Sequence, residues 1–194
     1  MAPKYFFGDR KLEVLDSVYE PREDSFLLAE TIEVRPGVKA LDIGCGSGIQ
    51  SINLALKGAE VTAVDINPKA LECTKLNAKK FGLSEKIKTK KSDLFSALEN
   101  KKFDLVVFNP PYLPDDGPKD EALDGGESGT DVIHSFLDKL FLYLNNRGEG
   151  WFIVSSVNGF RSMREYSYKR GFRCEVKARK KLFFEQIAVY KVFL

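Results

Sequence analysis

Short apolar segments alternate with helical segments along most of this chain, and this alternation restricts the possible folds more than any other feature. Strands that alternate with helices of about 10–15 residues form βαβ units, in which the strands run parallel. Right-handed crossovers between such units give an open, doubly wound sheet with helices on both faces. The strand-like segments that show the alternation are residues 38–43, 60–64, 87–91 and 103–108.

The C-terminal part of the chain continues this pattern and then changes it. Apolar residues at helical spacing predict helices over residues 131–144 and 159–169, with a fifth strand over 150–155 between them. The last two strand-like segments, 172–179 and 186–193, have no helix between them and should pair antiparallel. The predicted fold is α/β: an open, doubly wound, mostly parallel seven-stranded sheet with an antiparallel edge strand.

The N-terminal segment precedes the first βαβ unit. Its scattered apolar residues over positions 1–20 predict a short strand or an extended arm that covers another surface. Pro21, followed by acidic residues and then by apolar residues at helical spacing, marks the start of a helix that ends before Pro36. With 194 residues we expect a single domain, residues 1–194, in which residues 1–35 form an arm and helix over the ligand site.

A glycine-rich turn follows the first predicted βαβ strand. A turn of this kind lets a ligand approach the backbone closely at a helix N-terminus. Its glycines are Gly44, Gly46 and Gly48, and Ile49 stands where a dinucleotide-binding loop would have its third glycine. The spacing therefore favours a ligand whose amino-acid end, and not a pyrophosphate, lies over the loop.

Polar residues stand where four successive strands end. Asp42, Asp65, Asp93 and Asn109 hold these positions, and the carboxyl ends of parallel strands meet at one edge of the sheet. A single acid at such a place is typical of a helix cap, but four in succession indicate a shared site. Asp42 would accept from a ligand ammonium group and Asp65 from ribose hydroxyls. Asp93 and Leu94 would flank an adenine ring.

The sequence Asn109-Pro110-Pro111-Tyr112 forms a stiff ledge after the fourth of these strands. Each proline fixes its own φ, has no N–H and holds the residue before it in an extended conformation. The ledge presents the Asn109 amide, the Pro110 carbonyl and the Tyr112 ring. Two acceptors and an aromatic face suit a flat NH2 group that must be held without being protonated. The alternative is an ordinary turn, since Asn-Pro pairs mark turns.

Charge and cysteine content argue against several classes of protein. Thirty basic and 28 acidic residues leave a net charge of +2, which does not indicate a nucleic-acid partner. No apolar stretch reaches the roughly 20 residues of a membrane span, and we expect no signal peptide. Cys45, Cys73 and Cys174 lie far apart without metal-binding spacing. We therefore expect free thiols in a reducing cytoplasm and no metal site.

Together these motifs resemble those of the class I S-adenosylmethionine-dependent methyltransferases, a Rossmann-like family, over most of residues 19–194. The Asn-Pro-Pro-Tyr sequence is similar to that of enzymes that methylate an exocyclic or amide nitrogen. Residues 18–28, Val-Tyr-Glu-Pro-Arg-Glu-Asp-Ser-Phe-Leu-Leu, resemble the start of the HemK2/Mtq2-type, PrmC-like glutamine methyltransferases of archaea and eukaryotes. The Gly125-Gly126-x-x-Gly129 element is similar to one that follows the Asn-Pro-Pro-Tyr motif in HemK-type enzymes.

The resemblance implies a function, partners and site residues. It implies methyl transfer from S-adenosylmethionine, with S-adenosylhomocysteine as product, to the glutamine of the Gly-Gly-Gln motif of a class I translation release factor. It also implies a small Trm112-like zinc-binding activator. The implied catalytic and substrate-binding residues are Asn109, Pro110, Pro111, Tyr112, Gly125 and Gly126, with Asn109, Pro110 and Tyr112 catalytic. The implied cofactor-binding residues are Tyr19, Pro21, Ser25, Asp42, Gly44, Cys45, Gly46, Gly48, Asp65, Ile66, Asp93, Leu94 and Asn109.

Three other interpretations share part of the pattern. A nucleic-acid N-methyltransferase, acting on adenine N6 or guanine N2, shares every motif except residues 19–28, but it usually needs a basic surface or an added recognition domain. A binding module without catalysis would keep the glycine loop but not the intact ledge. A nicotinamide-dependent dehydrogenase is disfavoured by the glycine spacing and by the lack of a proton donor beyond His134.

Overall fold

The structure of the protein, a computed structural model, describes residues 6–7, 10–111 and 130–194, with residues 6–7 as backbone only. The predicted site residues Tyr112, Gly125 and Gly126 lie outside the described residues. The strands are β1 (Phe6–Phe7), β2 (Arg10–Lys11), β3 (Lys39–Ile43), β4 (Glu60–Asp65), β5 (Ile87–Lys91), β6 (Phe103–Phe108), β7 (Leu144–Ser155), β8 (Arg173–Lys181) and β9 (Gln186–Phe193). The helices are α1 (Glu23–Thr31), α2 (Ile49–Leu56), α3 (Pro68–Lys80), α4 (Asp131–Tyr143) and α5 (Phe160–Lys169).

Seven strands form one sheet in the order β5-β4-β3-β6-β7-β9-β8. The first five strands in this order pair in parallel, whereas β9 runs antiparallel to both β7 and β8. This arrangement confirms the predicted doubly wound, mostly parallel sheet and the antiparallel pair at one edge. Within that edge, β9 is the strand of opposite direction and β8 is the outermost strand.

The strand order reverses between β3 and β6, and the register brings the ends of these two strands together. Ile43 at the end of β3 pairs with Phe108 at the end of β6, and also with Val64 in β4. The glycine turn and the Asn109 ledge therefore leave the sheet side by side. Open α/β sheets bind ligands at such a switch point, outside the carboxyl ends of the strands.

Alternation along the strands divides the core into two layers, one on each face of the sheet. In β6, Leu105 and Val107 pack toward α1, α2 and α3, while Val106 and Phe108 pack toward α4 and α5. Buried parallel strands of this kind are apolar on both faces. This is why β6 appears in the sequence as a short, nearly continuous apolar run.

The described part of the N-terminal segment starts with β1 and β2, which pair antiparallel, and it continues along α3. Leu12 is fully buried in the core layer that contains α1, α2 and α3. The Glu13 N–H donates to Asn77 Oδ1 at 2.9 Å, and Asn77 Nδ2 donates back to the Glu13 carbonyl at 2.7 Å. The predicted extended arm is thus present, and α3 is the element against which it lies.

One strand differs from its prediction. The fifth strand of the main sheet, β7, begins at Leu144 and not at residue 150. Its first part pairs Leu144 with Phe103, and an irregularity then shifts the register so that Glu149 pairs with Leu105. Arg147 has a φ of 65°, a conformation typical of a turn, so the polar residues here resemble a loop in the sequence.

Two other expectations concern cysteines and membranes. Cys45, Cys73 and Cys174 are free thiols, as predicted. Within the described ranges, no helix combines the length and the apolar character that crossing a membrane requires. In the same ranges, no three His, Cys, Asp or Glu side chains lie close enough together to hold a metal ion.

Candidate functional site

A cavity of about 1100 Å³ lies at the carboxyl ends of β3, β4, β5 and β6. The start of α1 closes one side of it, and the turn between β8 and β9 contributes Leu182 and Glu185. Most of the predicted site residues that the structure describes line this cavity. They are Tyr19, Pro21, Ser25, Gly44, Cys45, Gly46, Asp65, Ile66, Asp93, Leu94, Asn109, Pro110 and Pro111.

The glycine turn is held open by its backbone conformation and by hydrogen bonds from α3. Gly46 and Gly48 have φ values of 51° and 84°, which residues with a Cβ rarely adopt. A Cβ on Gly48 would also lie 3.1 Å from the Cα of Thr74. Thr74 Oγ1 donates to the Gly46 carbonyl at 3.1 Å, and Asn77 Nδ2 donates to the Ser47 carbonyl at 2.8 Å. The turn is therefore a fixed cradle at the N-terminus of α2.

Asp65 connects the end of β4 to this turn. Its Oδ2 accepts from the Gly46 N–H at 3.0 Å, and its Oδ1 accepts from the Asn67 N–H at 2.9 Å. Burial raises the pKa of the Asp65 carboxyl, and the backbone donors oppose that rise. The carboxylate is oriented at the cavity wall, where its remaining lone pairs can accept from hydroxyl groups.

Asp93 and Leu94 follow β5 in a tight turn at the cavity wall. The Asp93 N–H donates to Ser96 Oγ at 3.1 Å, and Ser92 Oγ donates to the Leu94 carbonyl at 2.9 Å. Leu94 has a φ of 46°, an unusual conformation for a leucine, and it also packs against the core layer under α4 and α5. The Asp93 carboxylate is exposed at this edge of the cavity.

Asp42 and Gly48 do not line the cavity. The reason for Asp42 is strand alternation: its side chain points to the same face as Ala40, toward α2, where Ser51 Oγ donates to Asp42 Oδ2 at 2.5 Å. Burial raises the pKa of Asp42 from 3.8 to about 7, and the bond from Ser51 limits that rise. The prediction that Asp42 accepts from a ligand ammonium group is therefore not supported by a position at the wall.

Asn109 follows β6 and is held by two residues of α1. Its Nδ2 donates to Asp24 Oδ2 at 3.0 Å and to Ser25 Oγ at 3.2 Å. Both amide hydrogens are thereby occupied, and the side-chain oxygen, Oδ1, is left as the free acceptor. That oxygen is buried without a hydrogen-bond partner among the described residues. An unpaired buried acceptor costs stability, which makes it a place where a ligand donor is expected.

Asp24 was not among the predicted site residues. In the sequence it reads as an ordinary acid in the first turn of a helix, where acids are favourable. In the structure its buried carboxylate also accepts from the Tyr19 hydroxyl at 3.2 and 3.3 Å and from the Ser25 N–H at 2.6 Å. Burial and the neighbouring Asp24 carboxylate raise the pKa of Tyr19, which keeps the phenol a donor.

Gln50 is a second residue that the sequence analysis missed. Its Nε2 donates to the Ser25 carbonyl at 2.8 Å, which leaves its Oε1 buried without a partner. Among the described residues only three buried side-chain polar atoms lack a partner, and two of them, Asn109 Oδ1 and Gln50 Oε1, belong to residues that line this cavity. The cavity therefore presents oriented hydrogen-bond acceptors that a ligand with N–H or O–H donors could satisfy.

The charge of the wall is negative. Of the described lining residues six are acidic and one, Arg22, is basic, and the acidic residues are Glu20, Glu23, Asp24, Asp65, Asp93 and Glu185. A wall of this sign favours a cationic ligand and disfavours a phosphate. The site therefore combines a glycine cradle, an acidic wall and a preoriented amide oxygen.

Comparison with known proteins agrees with this geometry. The family model described as methyltransferase small domain matches residues 20–184. A relative from Methanocaldococcus jannaschii, named as a protein N5-glutamine methyltransferase, is 38% identical over 186 residues, covering 92% of this chain and 93% of the relative. The release factor glutamine methyltransferase of Koribacter versatilis is 34% identical over 167 residues, covering 77% of this chain. The matched region is 58% of the length of that bacterial relative.

Solved structures show the same fold. The Mtq2 protein of E. cuniculi, described in a complex with Trm112 that methylates the translation termination factor eRF1, has a TM-score of 0.75 and 26% identity. The match covers 91% of this chain and 98% of that one. The 16S rRNA N2 G1207 methyltransferase of T. thermophilus has a TM-score of 0.70 at 21% identity, covering 89% and 43% of the two chains. On the family match and on the archaeal relative, this chain belongs to the methyltransferase small domain family.

Proposed function

We propose that this protein transfers a methyl group from S-adenosylmethionine to the glutamine side-chain nitrogen of the Gly-Gly-Gln loop of a class I translation release factor. The observation that carries the proposal is Asn109 Oδ1, a buried acceptor without a partner whose orientation is fixed by Asp24 and Ser25. A carboxamide NH2 supplies the donor that this oxygen lacks. The names of the archaeal and bacterial relatives support the same substrate.

The residues that line the cavity suit S-adenosylmethionine by their chemistry and by their charge. The fixed glycine turn would lie under the amino-acid end, and Asp65 would bind ribose hydroxyls. The unpartnered Gln50 Oε1 is an acceptor for an ammonium group, a role that the sequence analysis gave to Asp42. Asp93 and Leu94 would flank the adenine. A ligand with both a sulfonium and an ammonium group suits the acidic wall.

The chemistry depends mainly on how this chain positions the target nitrogen. A carboxamide nitrogen is a weak nucleophile because its lone pair is delocalised into the carbonyl. Hydrogen bonds from the NH2 group to Asn109 Oδ1 and to the Pro110 carbonyl would orient that nitrogen and stabilise the positive charge that develops on it. S-adenosylmethionine supplies an electrophilic methyl carbon, so that a nitrogen–carbon bond forms as the sulfur–carbon bond breaks. The displaced proton leaves the nitrogen to water.

Three further roles stay predictions. Tyr112 would pack against the flat amide, and Gly125 and Gly126 would contact the substrate, but all three lie outside the described residues. Pro111 lines the cavity, and its proposed role is to stiffen the ledge.

Removal of the Asn109 amide should abolish most of the activity. We expect Asn109→Ala to lower kcat at least about 100-fold, on the scale of removing one preoriented polar group from an active site. Binding of S-adenosylhomocysteine, measured by calorimetry, should be retained and serves as the control for folding. Full activity in a variant that still binds this product would contradict the assignment of Asn109.

Methyl transfer from labelled S-adenosylmethionine tests the substrate directly. One reaction contains a release factor, another contains its Gln→Ala variant in the Gly-Gly-Gln loop, and a third contains adenine-bearing duplex DNA. We expect label on the release factor and none on its variant. Label on DNA alone would contradict the proposed substrate and leave the methyltransferase assignment intact.

We also propose a small Trm112-like zinc-binding partner and action in the cytoplasm, where translation ends. The proposal rests on the similarity to Mtq2, which is described in a complex with Trm112. Co-expression followed by purification on a tag carried by one chain tests the association, with the methylation assay run on each preparation. An equally active and soluble chain without the partner would show that the partner is dispensable.

The alternative is methylation of a nucleic-acid nitrogen. Adenine N6 and guanine N2 are also flat NH2 groups, and the rRNA methyltransferase of T. thermophilus shares the fold. The acidic wall argues against this alternative, because a phosphate backbone close to six carboxylates would be repelled.

A further inference from the structure

The turn between β8 and β9 carries two phenylalanines that the active site described above does not use. Phe183 and Phe184 have 91% and 93% of their surface exposed, the highest values among the large apolar residues described. Their rings contact each other in a T-shaped pair with centroids 4.7 Å apart. A single exposed apolar residue is ordinary, but two large aromatic rings at the tip of one turn mark a candidate interaction surface.

This pair is continuous with the cavity. Leu182 and Glu185, the residues on either side of the pair, both line the cavity that Asn109 and Pro110 also line. The tip of this turn therefore lies at the rim of the same cavity in which the proposed function places a substrate side chain. At this position Phe183 and Phe184 can contact the outer surface of a substrate while one of its side chains occupies the cavity.

The turn is also fixed to the sheet. The Leu182 N–H donates to the Glu185 carbonyl at 2.8 Å, and the Gln186 N–H donates to Ser156 Oγ at 3.0 Å. Ser155, at the end of β7, donates its hydroxyl to the Glu185 carboxylate. Binding at a fixed turn requires little ordering of the backbone, so that more of the contact free energy is available for affinity.

We propose that residues 182–185, the 182–185 tip, form a docking surface for the release factor, with Phe183 and Phe184 as aromatic anchors in an apolar depression of that protein. This inference rests on the function proposed above. A lone glutamine side chain in the cavity offers little contact area. Aromatic residues at protein interfaces often supply a large part of the binding free energy, which the glutamine contact alone lacks. The acidic cavity beside the tip favours a protein occupant over a nucleic acid.

Steady-state methyl transfer to two substrates separates docking from chemistry. The substrates are the whole release factor and a short peptide with its Gly-Gly-Gln sequence, and the variant is Phe183→Ala/Phe184→Ala. We expect KM for the release factor to rise about 10- to 100-fold, the scale of removing aromatic anchors from an interface. We expect kcat at saturation, and both constants for the peptide, to stay close to wild-type values.

Phe141→Ala is the matched control. Phe141 is also an exposed phenylalanine, but it lies nine residues beyond the cavity-lining Val132 on α4, about 14 Å along the helix. This control should leave KM for both substrates unchanged. If the double variant lost kcat for the release factor and activity on the peptide to the same extent, the cause would be a structural defect of the turn. That result would overturn the proposed docking role.

Other occupants of the tip give other outcomes, and each overturns the proposal. An unchanged KM for the release factor together with a dimer in wild type and a monomer in the variant, measured by light scattering, would assign the tip to self-association. Loss of co-purification with a Trm112-like protein, with unchanged KM, would assign it to that partner. Weaker single-stranded RNA binding with unchanged KM would assign it to nucleic acid. A wild-type protein that leaves the release factor unmethylated would contradict the proposed function itself.

Discussion

At the scale of single residues, the orientation of one amide decides what the site can bind. Asn109 could present either its oxygen or its NH2 to the cavity, and the NH2 group of a carboxamide substrate can donate only to the oxygen. Asp24 and Ser25 accept from its Nδ2 and thereby select the productive orientation. Because Asp24 lies 85 residues away in sequence, a motif centred on Asn109 could not predict it.

Asp24→Asn tests this positioning role. The new side chain keeps the shape of aspartate but can direct its own NH2 at Asn109, so that the two donors would oppose each other and the Asn109 amide would turn over. We expect kcat to fall about 10- to 100-fold, while the affinity for S-adenosylhomocysteine is retained. Glu23→Gln, which removes one charge from the same helical turn, should retain near wild-type kcat. If both variants lowered kcat to the same extent, the cause would be the removed negative charge and not the orientation of the Asn109 amide.

Asp42 gives a prediction about pH. Its pKa is raised from 3.8, the ordinary value of an aspartate carboxyl, to about 7 in the folded protein. As the pH rises, the unfolded chain therefore loses the carboxyl proton before the folded protein does. The free energy of unfolding should therefore decrease with pH up to about pH 7 and then level off. Asp42→Asn removes this effect and should be more stabilising at about pH 8 than at about pH 5, by about 3 kcal/mol.

Urea unfolding of the ligand-free protein at both pH values measures the Asp42 effect. Asn can still accept from Ser51, so the packing around the side chain is conserved. The exposed Asp16→Asn is the control and should change stability by less than about 0.5 kcal/mol at either pH. A destabilised Asp42→Asn protein at the higher pH would contradict the raised pKa.

At the scale of elements, α2 holds α1 in place with three polar side chains that recur along one face. Gln50, Asn53 and Lys57 donate to α1 carbonyls and to the carbonyl that follows it, at 2.8–3.2 Å. The Ala29 and Ile32 carbonyls lie at the C-terminal end of α1, where the helix has no donors of its own, whereas the Ser25 carbonyl lies in its first turn. The position of α1 in turn sets the position of Asp24 and Ser25.

Asn53→Ala should lower the free energy of unfolding by about 1 kcal/mol, because it removes the bond to the Ala29 carbonyl while Lys57 still donates to the same oxygen. Urea titration measures the change, and Asn146→Ala, at an exposed position, is the matched control. A variant as stable as the control would show that the bond between the helices contributes nothing.

The elements were also the most predictable level of this protein. The bounds of β6 and β9 follow from apolar runs, because a strand that is covered on both faces is largely apolar. The start of β7 could not be predicted in this way, since Asn145 and Asn146 are polar and the strand there pairs only at the sheet's irregular end. The approximate place of the site was predictable because strand ends meet at one edge. The sequence could not predict which side chains face the cavity: Asp42 stands at a strand end but points toward α2.

At the scale of the whole molecule, one residue, Asn77, connects the N-terminal arm to the ligand site. This α3 side chain bonds to Glu13 in the N-terminal arm and to Ser47 in the glycine turn. Ser17 on the same arm accepts from Asn67, which follows β4. The arm and the ligand cradle are thus connected through α3.

Hydrogen exchange tests whether residues 1–35 cover the cofactor, as we propose. Saturation with S-adenosylhomocysteine should slow exchange of the amides at residues 17–25 by about tenfold or more, because opening of the arm would expose bound ligand. The amides of α5, which contributes no residue to the described cavity wall, should change little. Protection confined to the glycine turn would show that the arm does not cover the ligand.

The contact between Asp24 and Asn109 has a consequence for how active members of such a family are recognised in genomes. A relative that retains Asn-Pro-Pro-Tyr but has exchanged the distant acid for an apolar residue would keep only the Ser25 hydroxyl to orient the amide, so that the unproductive orientation would also be populated. Such a gene would encode a much slower enzyme, which a search for the ledge alone could not distinguish from an active one. The rate of methyl transfer therefore depends on two positions, 24 and 109, that lie 85 residues apart in the sequence.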